Sequence, residues 1–138
     1  NGPNLNLLGT REPDIYGGNT LVEIENMIEH HVKENSYAFD LDFFQSNSEG
    51  EIVESLQDAG KNCDGVIVNA GGLTHTSVII LDCLLAINIP KIEVHISNPF
   101  TREEFRHNSY ISKGVNGLIC GLGANSYLLA IDAMHKIV

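Results

Sequence analysis

The sequence predicts one α/β domain, an open and doubly wound parallel sheet with helices on both faces. Two observations carry that expectation. Segments with helical period alternate with short β-branched runs along the 138 residues, without repeats, linkers or low-complexity tracts. The runs "DGVIVNAGG", "KIEVHIS" and "VNGLICG" read as strands covered on both faces, because their apolar stretches are continuous where a half-wet strand would alternate. At 138 residues and 43% hydrophobic content the chain is long enough to bury roughly 68% of its unfolded surface around one core.

Residues 1–18, "NGPNLNLLGTREPDIYGG", have neither helical nor strand period and are expected to form a loop; the first strand of such a sheet is expected before Asn1, outside residues 1–138. "TLVEIENMIEHHVKEN" follows with Leu21, Ile24, Ile28 and Val32 on one helical stripe, and Thr20 with Glu23 forms a capping box, so a helix is expected from about Thr20 to Asn35. "FDLDFF" alternates Phe39, Leu41 and Phe43 with Asp40 and Asp42, the pattern of a strand at a sheet edge. "SEGEIVESLQDAGK" repeats the capping logic through Ser48 and Glu51, with Ile52, Leu56 and Ala59 on one stripe. The strand "DGVIV" comes next, then a helix in "THTSVIILDCLLAIN" that is apolar nearly all round. Two further strands and a closing helix in "ANSYLLAIDAMHKIV" complete the order, with Leu128, Ile131 and Met134 at helical spacing.

Charge and cysteine usage remove several classes of function. A net charge of −10 is wrong for a nucleic-acid binder, which needs a basic surface to displace counterions, and wrong for an anionic membrane surface. Cys63, Cys83 and Cys120 have no CxxC spacing and are odd in number, so neither a disulfide framework nor a zinc site is indicated and a reducing, cytoplasmic setting is expected. The longest apolar run, "SVIILDCLLAINI", is broken by Asp82 and falls short of the roughly 20 residues of a membrane span. No metal-ligand spacing or P-loop occurs. "GLGANS" resembles a broken G-x-G-x-x-G after the last strand instead of the first, so no dinucleotide is expected.

In open parallel sheets ligands bind beyond the carboxyl ends of the strands. Four segments near such ends carry polar residues that a connection does not need. "NAGGLTHTS" offers Asn69 and His75; "EVHISNPFTREEFRH" offers Glu93 and His95 two apart on one strand face, and Arg102 and Arg106, which share a side if their segment is helical; the opening loop offers Arg11 and Tyr16. All three arginines thus fall in these loops while the five lysines are scattered. Guanidinium groups suit a small anionic substrate, and they suit structural ion pairs equally. His95 is either a satisfied structural residue or an acid–base group oriented by Glu93. Asp82, in an apolar helix seven residues after His75, fits a subunit interface or a backbone cap. His30, His31, His107 and His135 read as solvated, and Tyr37, Tyr110 and Tyr127 as packing residues.

Taken together, "NGPNLNLLGTREPDIYG", "NAGGLTHTS", "EVHISNPFTREEFRHNSY" and "GLGANSYLLA" resemble, in order and over essentially the whole chain, the type II 3-dehydroquinate dehydratases. The resemblance implies a flavodoxin-like fold, a dodecamer built from trimers and no cofactor, and the missing metal-ligand spacings add the expectation of no metal. It also implies the reversible loss of water from 3-dehydroquinate to give 3-dehydroshikimate, in the shikimate or the quinate pathway. On matching positions Tyr16 resembles the general base and Arg11 its electrostatic partner, with Arg102 a second arginine near that tyrosine. His95 resembles the general acid, held by Glu93. Asn69, His75 and Arg106 match substrate ligands, the Ile96 and Ser97 amides a carboxylate cradle, Asn4 the residue holding a water against the enolate oxygen, and Asp82 an acid supplied by a neighbouring subunit.

The chemistry is consistent with those types of residue. A tyrosine of pKa about 10 is ionised to about one part in a thousand at pH 7, so half ionisation takes roughly 4 kcal/mol. One arginine at about 4 Å offers on the order of 4 kcal/mol at an effective dielectric of about 20. With hinges at Gly9, Gly17 and Gly18, the opening segment is expected to act as a lid. Two other classes remain open from the residues alone. A flavin carrier or receiver module shares the fold, although a receiver needs an acidic pocket; a hydrolase using His95 needs a nucleophile, and no G-x-S-x-G elbow is present.

Overall fold

The computed structural model describes residues 1–10 and 17–138, so the expectations on Arg11 and Tyr16 lie outside the described residues. Its regular elements are α1 (Leu21–Glu34), α2 (Glu49–Asn62), β1 (Val66–Val68), α3 (Val78–Ala86), β2 (Lys91–His95), β3 (Gly117–Cys120) and α4 (Asn125–Ile137), joined by several one-turn 3-10 segments. The three strands are parallel in the order β1-β2-β3, with Val68 opposite Glu93 and His95 opposite Cys120.

Strand alternation sends side chains into two apolar layers. Ile67, Ile92, Val94, Ile96 and Ile119 meet Ile24, Ile28 and Val32 of α1 and Tyr127, Ile131 and Met134 of α4. Val66 and Val68 meet Ile52 and Leu56 of α2 and Ile80 and Leu84 of α3. Helices therefore cover both faces, as expected, and Glu93 and His95 belong to the α2–α3 face. Among the described residues no helix is long and apolar enough to cross a membrane.

The capping expectations hold in full at α1 and by half at α2. Thr20 Oγ1 accepts from the Glu23 N–H at 3.2 Å while the Glu23 carboxylate accepts from the Thr20 N–H at 2.7 Å. Ser48 Oγ accepts from the Glu51 N–H at 3.4 Å, but the Glu51 carboxylate takes the Ser46 hydroxyl instead of the backbone.

Two elements differ from expectation. Residues 39–43 keep the predicted alternation, with Phe39, Leu41 and Phe43 half-buried and Asp40 and Asp42 exposed, yet they form no strand. A ladder needs a partner backbone, and here Asn1 supplies one rung: its amino group donates to Phe44 O at 2.9 Å and its carbonyl accepts from the Ser46 N–H at 3.1 Å, the pattern of a parallel pair. The helix expected to begin in "THTS" starts later, at Val78, with Ser77 Oγ capping the Ile80 N–H at 2.9 Å. Gly71–His75 is instead a 3-10 turn, so His75 and Asp82 do not share a helix face.

Candidate active site

A cavity of about 220 Å³ lies beyond the carboxyl ends of β1 and β2, and its walls include Asn4, Asn69, His75, His95, Ile96, Ser97, Arg102 and Arg106. Residues far apart in sequence meet here because the loops after both strands and the opening segment converge on one sheet edge.

The opening segment is fixed by close backbone approach. A side chain at Gly2 would place its Cβ 2.4 Å from Ala70 O, so glycine lets residues 1–4 lie against the loop after β1, where the Gly2 N–H reaches Asn69 O at 2.7 Å. Asn4 then adopts φ 67°, a left-handed conformation that asparagine tolerates better than most residues, and its N–H donates to Asn47 Oδ1 at 2.9 Å.

Asn69 is buried, and both ends of its amide are held. Nδ2 donates to Tyr127 Oη at 2.9 Å and Oδ1 accepts from the Gly71 N–H at 3.2 Å, while the Tyr127 hydroxyl in turn donates to Asn1 Oδ1 at 2.6 Å. Burial pushes the Tyr127 phenol far above its ordinary range, with the Asn69 hydrogen bond opposing only in part. It is therefore a neutral donor under the cavity wall, and more than the packing residue expected of it.

His75 sits on its 3-10 turn with Nδ1 2.9 Å from the carbonyl oxygen of Asn108. A carbonyl can only accept, so Nδ1 carries the proton and Nε2 is the atom left to address the cavity. His95, at the end of β2, has Nε2 2.7 Å from Glu93 Oε1. Glu93 is fully buried and also receives the Ser109 hydroxyl at 2.9 Å and the Ser112 hydroxyl. Burial raises its carboxyl, but hydrogen bonds from His95, Ser112 and Ser109 together with the His95 charge outweigh that and hold it below the ordinary carboxylate range. Nε2 thus faces an anion and donates, which leaves Nδ1 as the ring atom able to exchange a proton with a bound molecule.

Arg102 and Arg106 do not lie on one helix: Arg102 follows the turn Pro99–Thr101, Arg106 lies in the turn Glu104–His107, and Glu103 brings them together. Glu103 Oε2 stands 2.8 Å from Arg106 Nε and 3.6 Å from Arg102 Nε, and Arg102 Nη1 also donates to Ser97 Oγ at 3.4 Å. A bond from its own backbone N–H, then the Arg106 hydrogen bond and the two guanidinium charges, keep the Glu103 carboxyl below its usual range. His107, expected to be solvated, directs Nε2 to Arg102 O at 3.1 Å.

Asp82 does not line this cavity: it is exposed on α3 beside the exposed Val78, Ile79 and Leu85. Sequence reasoning missed Tyr127, Ser109, Ser112 and Glu103, whose roles depend on a hydroxyl or carboxylate meeting a distant partner. For Ser109 the usable signal was its position inside the motif "FRHNSY".

Fold and cavity define an open-sheet α/β protein whose strand-end site combines an oriented imidazole with guanidinium groups, suited to acid–base work on a small anion. The chain belongs to the class II dehydroquinases, whose family model it matches over residues 1–135. It is 51% identical over 134 residues to the 3-dehydroquinate dehydratase of Prochlorococcus marinus (strain NATL1A), covering 97% of this chain and 91% of that protein. The 3-dehydroquinate dehydratase of Rhizobium meliloti (strain 1021) is 49% identical over 137 residues, 99% of this chain and 91% of the relative. The crystal structure of the type II dehydroquinase from Butyrivibrio crossotus superposes with a TM-score of 0.92 at 44% identity, covering 96% of this chain and 92% of that one. The fold is accordingly the flavodoxin-like one of that family.

Proposed function

We propose that this chain is a hydro-lyase that converts 3-dehydroquinate reversibly to 3-dehydroshikimate and water through an enolate, with Tyr16 as tyrosinate base and His95 as acid. The observation that carries the reading is the convergence of Asn4, Asn69, His75, His95, Ile96, Ser97, Arg102 and Arg106 on one cavity of about 220 Å³. That volume, below the roughly 300–1,000 Å³ of drug-sized sites, favours one small acid over a flavin.

In this reading the base removes a proton from the carbon beside the ketone, and Asn4 holds a water against the enolate oxygen that results. Collapse of the enolate expels the hydroxyl of C1, which leaves as water after taking a proton from His95 Nδ1. Glu93, 2.7 Å from Nε2, supplies the fixed negative charge against which the imidazolium is held and keeps the ring turned for transfer. Ile96 and Ser97, where the β2 ladder has ended, cradle the substrate carboxylate with their amides; Asn69, His75 and Arg106 take its hydroxyls. Arg11 and Arg102 stabilise the phenolate.

Asp82 reaches a neighbouring subunit's cavity in an assembly of this chain with itself. Val78, Ile79 and Leu85, 50%, 59% and 59% exposed beside it, support such a contact. A dodecamer of trimers, working in the cytoplasm in the shikimate or quinate pathway, completes the reading.

Adding 3-dehydroquinate to the protein should produce the ultraviolet absorbance of a conjugated enone. Tyr16→Phe should leave substrate binding measurable while cutting turnover at least about a hundredfold, the scale of a lost general base. No enone from the wild type overturns the reaction, and near-normal turnover by the variant removes Tyr16 from its role.

A further inference from the structure

We infer that the turn Asn108–Ser112 is the common support of both cavity histidines, with Ser109 and Ser112 acting as positioning residues that set the Glu93 carboxylate for His95. The inference rests on the proposed dehydratase reading for its kinetic consequence and on geometry for its substance.

The turn touches the site at four points. Asn108 O fixes the protonated Nδ1 of His75 at 2.9 Å, and the Tyr110 N–H reaches Thr74 O, one residue before that histidine, also at 2.9 Å. Ser109 Oγ accepts from the Ser112 N–H at 2.9 Å, so its own proton is committed to Glu93 Oε1 at 2.9 Å. The Ser112 hydroxyl donates to the other oxygen, Oε2. Ile111, fully buried between the two serines, anchors the turn in the α2–α3 core layer.

Each carboxylate oxygen thus has an assigned donor, and Oε1 is shared by Ser109 and His95. A fully buried carboxylate without such donors is costly, and an unfastened one can rotate away from the imidazole. The neighbouring groups cannot replace the serines. On this face β1 presents Val66 and Val68, and α3 presents Ile80 and Leu84 while its Asp82 is exposed. Among the described residues, the titratable groups coupled to Glu93 are His95 on its own strand and Cys120 on β3, whose thiol is pushed up by burial and by the Glu93 charge and so is a poor donor to it; Lys91, on the same face of β2, has its Nζ committed to Ile87 O at 2.7 Å. α4 packs against the opposite face of β2.

Removing both hydroxyls weakens the ionised Glu93 relative to its protonated form, so the carboxylate takes up a proton at higher pH. For Ser109→Ala/Ser112→Ala we expect the acid limb of kcat/KM to move upward by about one pH unit, a roughly tenfold gain in proton affinity and the worth of one charge-assisted hydrogen bond. KM at pH 8 should hold, since neither serine lines the cavity. Ser112→Thr, which keeps the hydroxyl, should restore the limb, and single Ser112→Ala should show a smaller shift if the double variant does not fold. Nitrogen NMR of the His95 ring without substrate gives a readout independent of turnover: one tautomer, with the proton on Nε2, in the wild type, and a mixture in the serine variants. An unmoved acid limb, or a loss of activity uniform across pH with a single tautomer retained, overturns the inference. Failure of the wild type to turn over 3-dehydroquinate strikes the proposed function, and the tautomer measurement still decides the positioning role.

Discussion

Among the described residues the two shortest histidine–carboxylate pairs are nearly equal in length, and of the two only one stands in the cavity. His95 meets Glu93 at 2.7 Å; His31 of α1 meets Asp132 of α4 at 2.6 Å. Their surroundings differ. The Glu93 side chain is 0% exposed and the Asp132 side chain 39%, so the first carboxylate depends on protein donors and the second on water as well. The donors differ too: Glu93 receives two serine hydroxyls, while Asp132 receives the Tyr37 phenol at 3.1 Å. His31, expected to be solvated, is in fact a clasp between two helices, and His135 stacks on Tyr37 with ring centroids 4.1 Å apart. A short imidazole–carboxylate contact therefore does not by itself mark chemistry. Position at a strand's carboxyl end, desolvation and a second set of donors separate the site from the clasp.

The sharpest way to break this comparison is to delete each imidazole. His95→Ala should lower turnover by about 10²–10⁴-fold, the range for a lost acid–base group, with an intermediate accumulating before the dehydration step. His31→Ala should leave turnover within about twofold and cost about 0.2–1 kcal/mol of stability, the range for a partly exposed pair, measured by urea denaturation. Equal kinetic effects of the two deletions would remove the distinction drawn here.

The carboxylates sharpen the same contrast through pH. For Asp132, too, burial raises the carboxyl, but hydrogen bonds from His31 and Tyr37 and the charges of His31 and His135 prevail, so folding lowers both groups. Each consequently contributes stability that is complete above the unfolded carboxylate range of about 4 and is lost as pH falls through the folded value. Glu93→Gln should cost about 1–3 kcal/mol at pH 7, because two buried hydroxyls and an imidazole lose a charged acceptor, whereas Asp132→Asn should cost below about 1 kcal/mol. The gap between wild type and Glu93→Gln should close as pH falls below about 4. A gap that widens on acidification would reverse the sign of the linkage.

Much of this arrangement was legible in the sequence, for identifiable reasons. Capping at Thr20 and Ser48 is local chemistry, readable from four consecutive residues, and the period-2 relation of Glu93 to His95 survives because a strand keeps alternate side chains on one face. What failed was information held by partners. Residues 39–43 carry strand patterning, yet ladder formation is decided by a second backbone, and among the described residues the rung seen is the one at Asn1. Arg102 and Arg106 would share a side only if their segment were helical, whereas Pro99 and the 3-10 turns set a different path and Glu103 joins them instead. Tyr127, Ser109 and Ser112 bond partners 58, 16 and 19 residues away, beyond any local pattern.

The smallest effect tests whether the clasp is cooperative or a sum of independent contacts. Tyr37→Phe keeps the ring against His135 and removes only the hydroxyl bonded to Asp132, so its cost should fall at the low end of about 0.5–1.5 kcal/mol. In the His31→Ala background the same change should cost more if His31 and Tyr37 can substitute for one another on Asp132 Oδ1, the atom both of them contact, and the same if they act separately. Because that oxygen is partly in water, which can replace a lost donor, we expect near-additivity, with a coupling below about 0.5 kcal/mol. At Glu93, sealed from solvent, the corresponding cycle between Ser109→Ala and Ser112→Ala should show the larger coupling, since no water stands ready to take the place of the first hydroxyl removed.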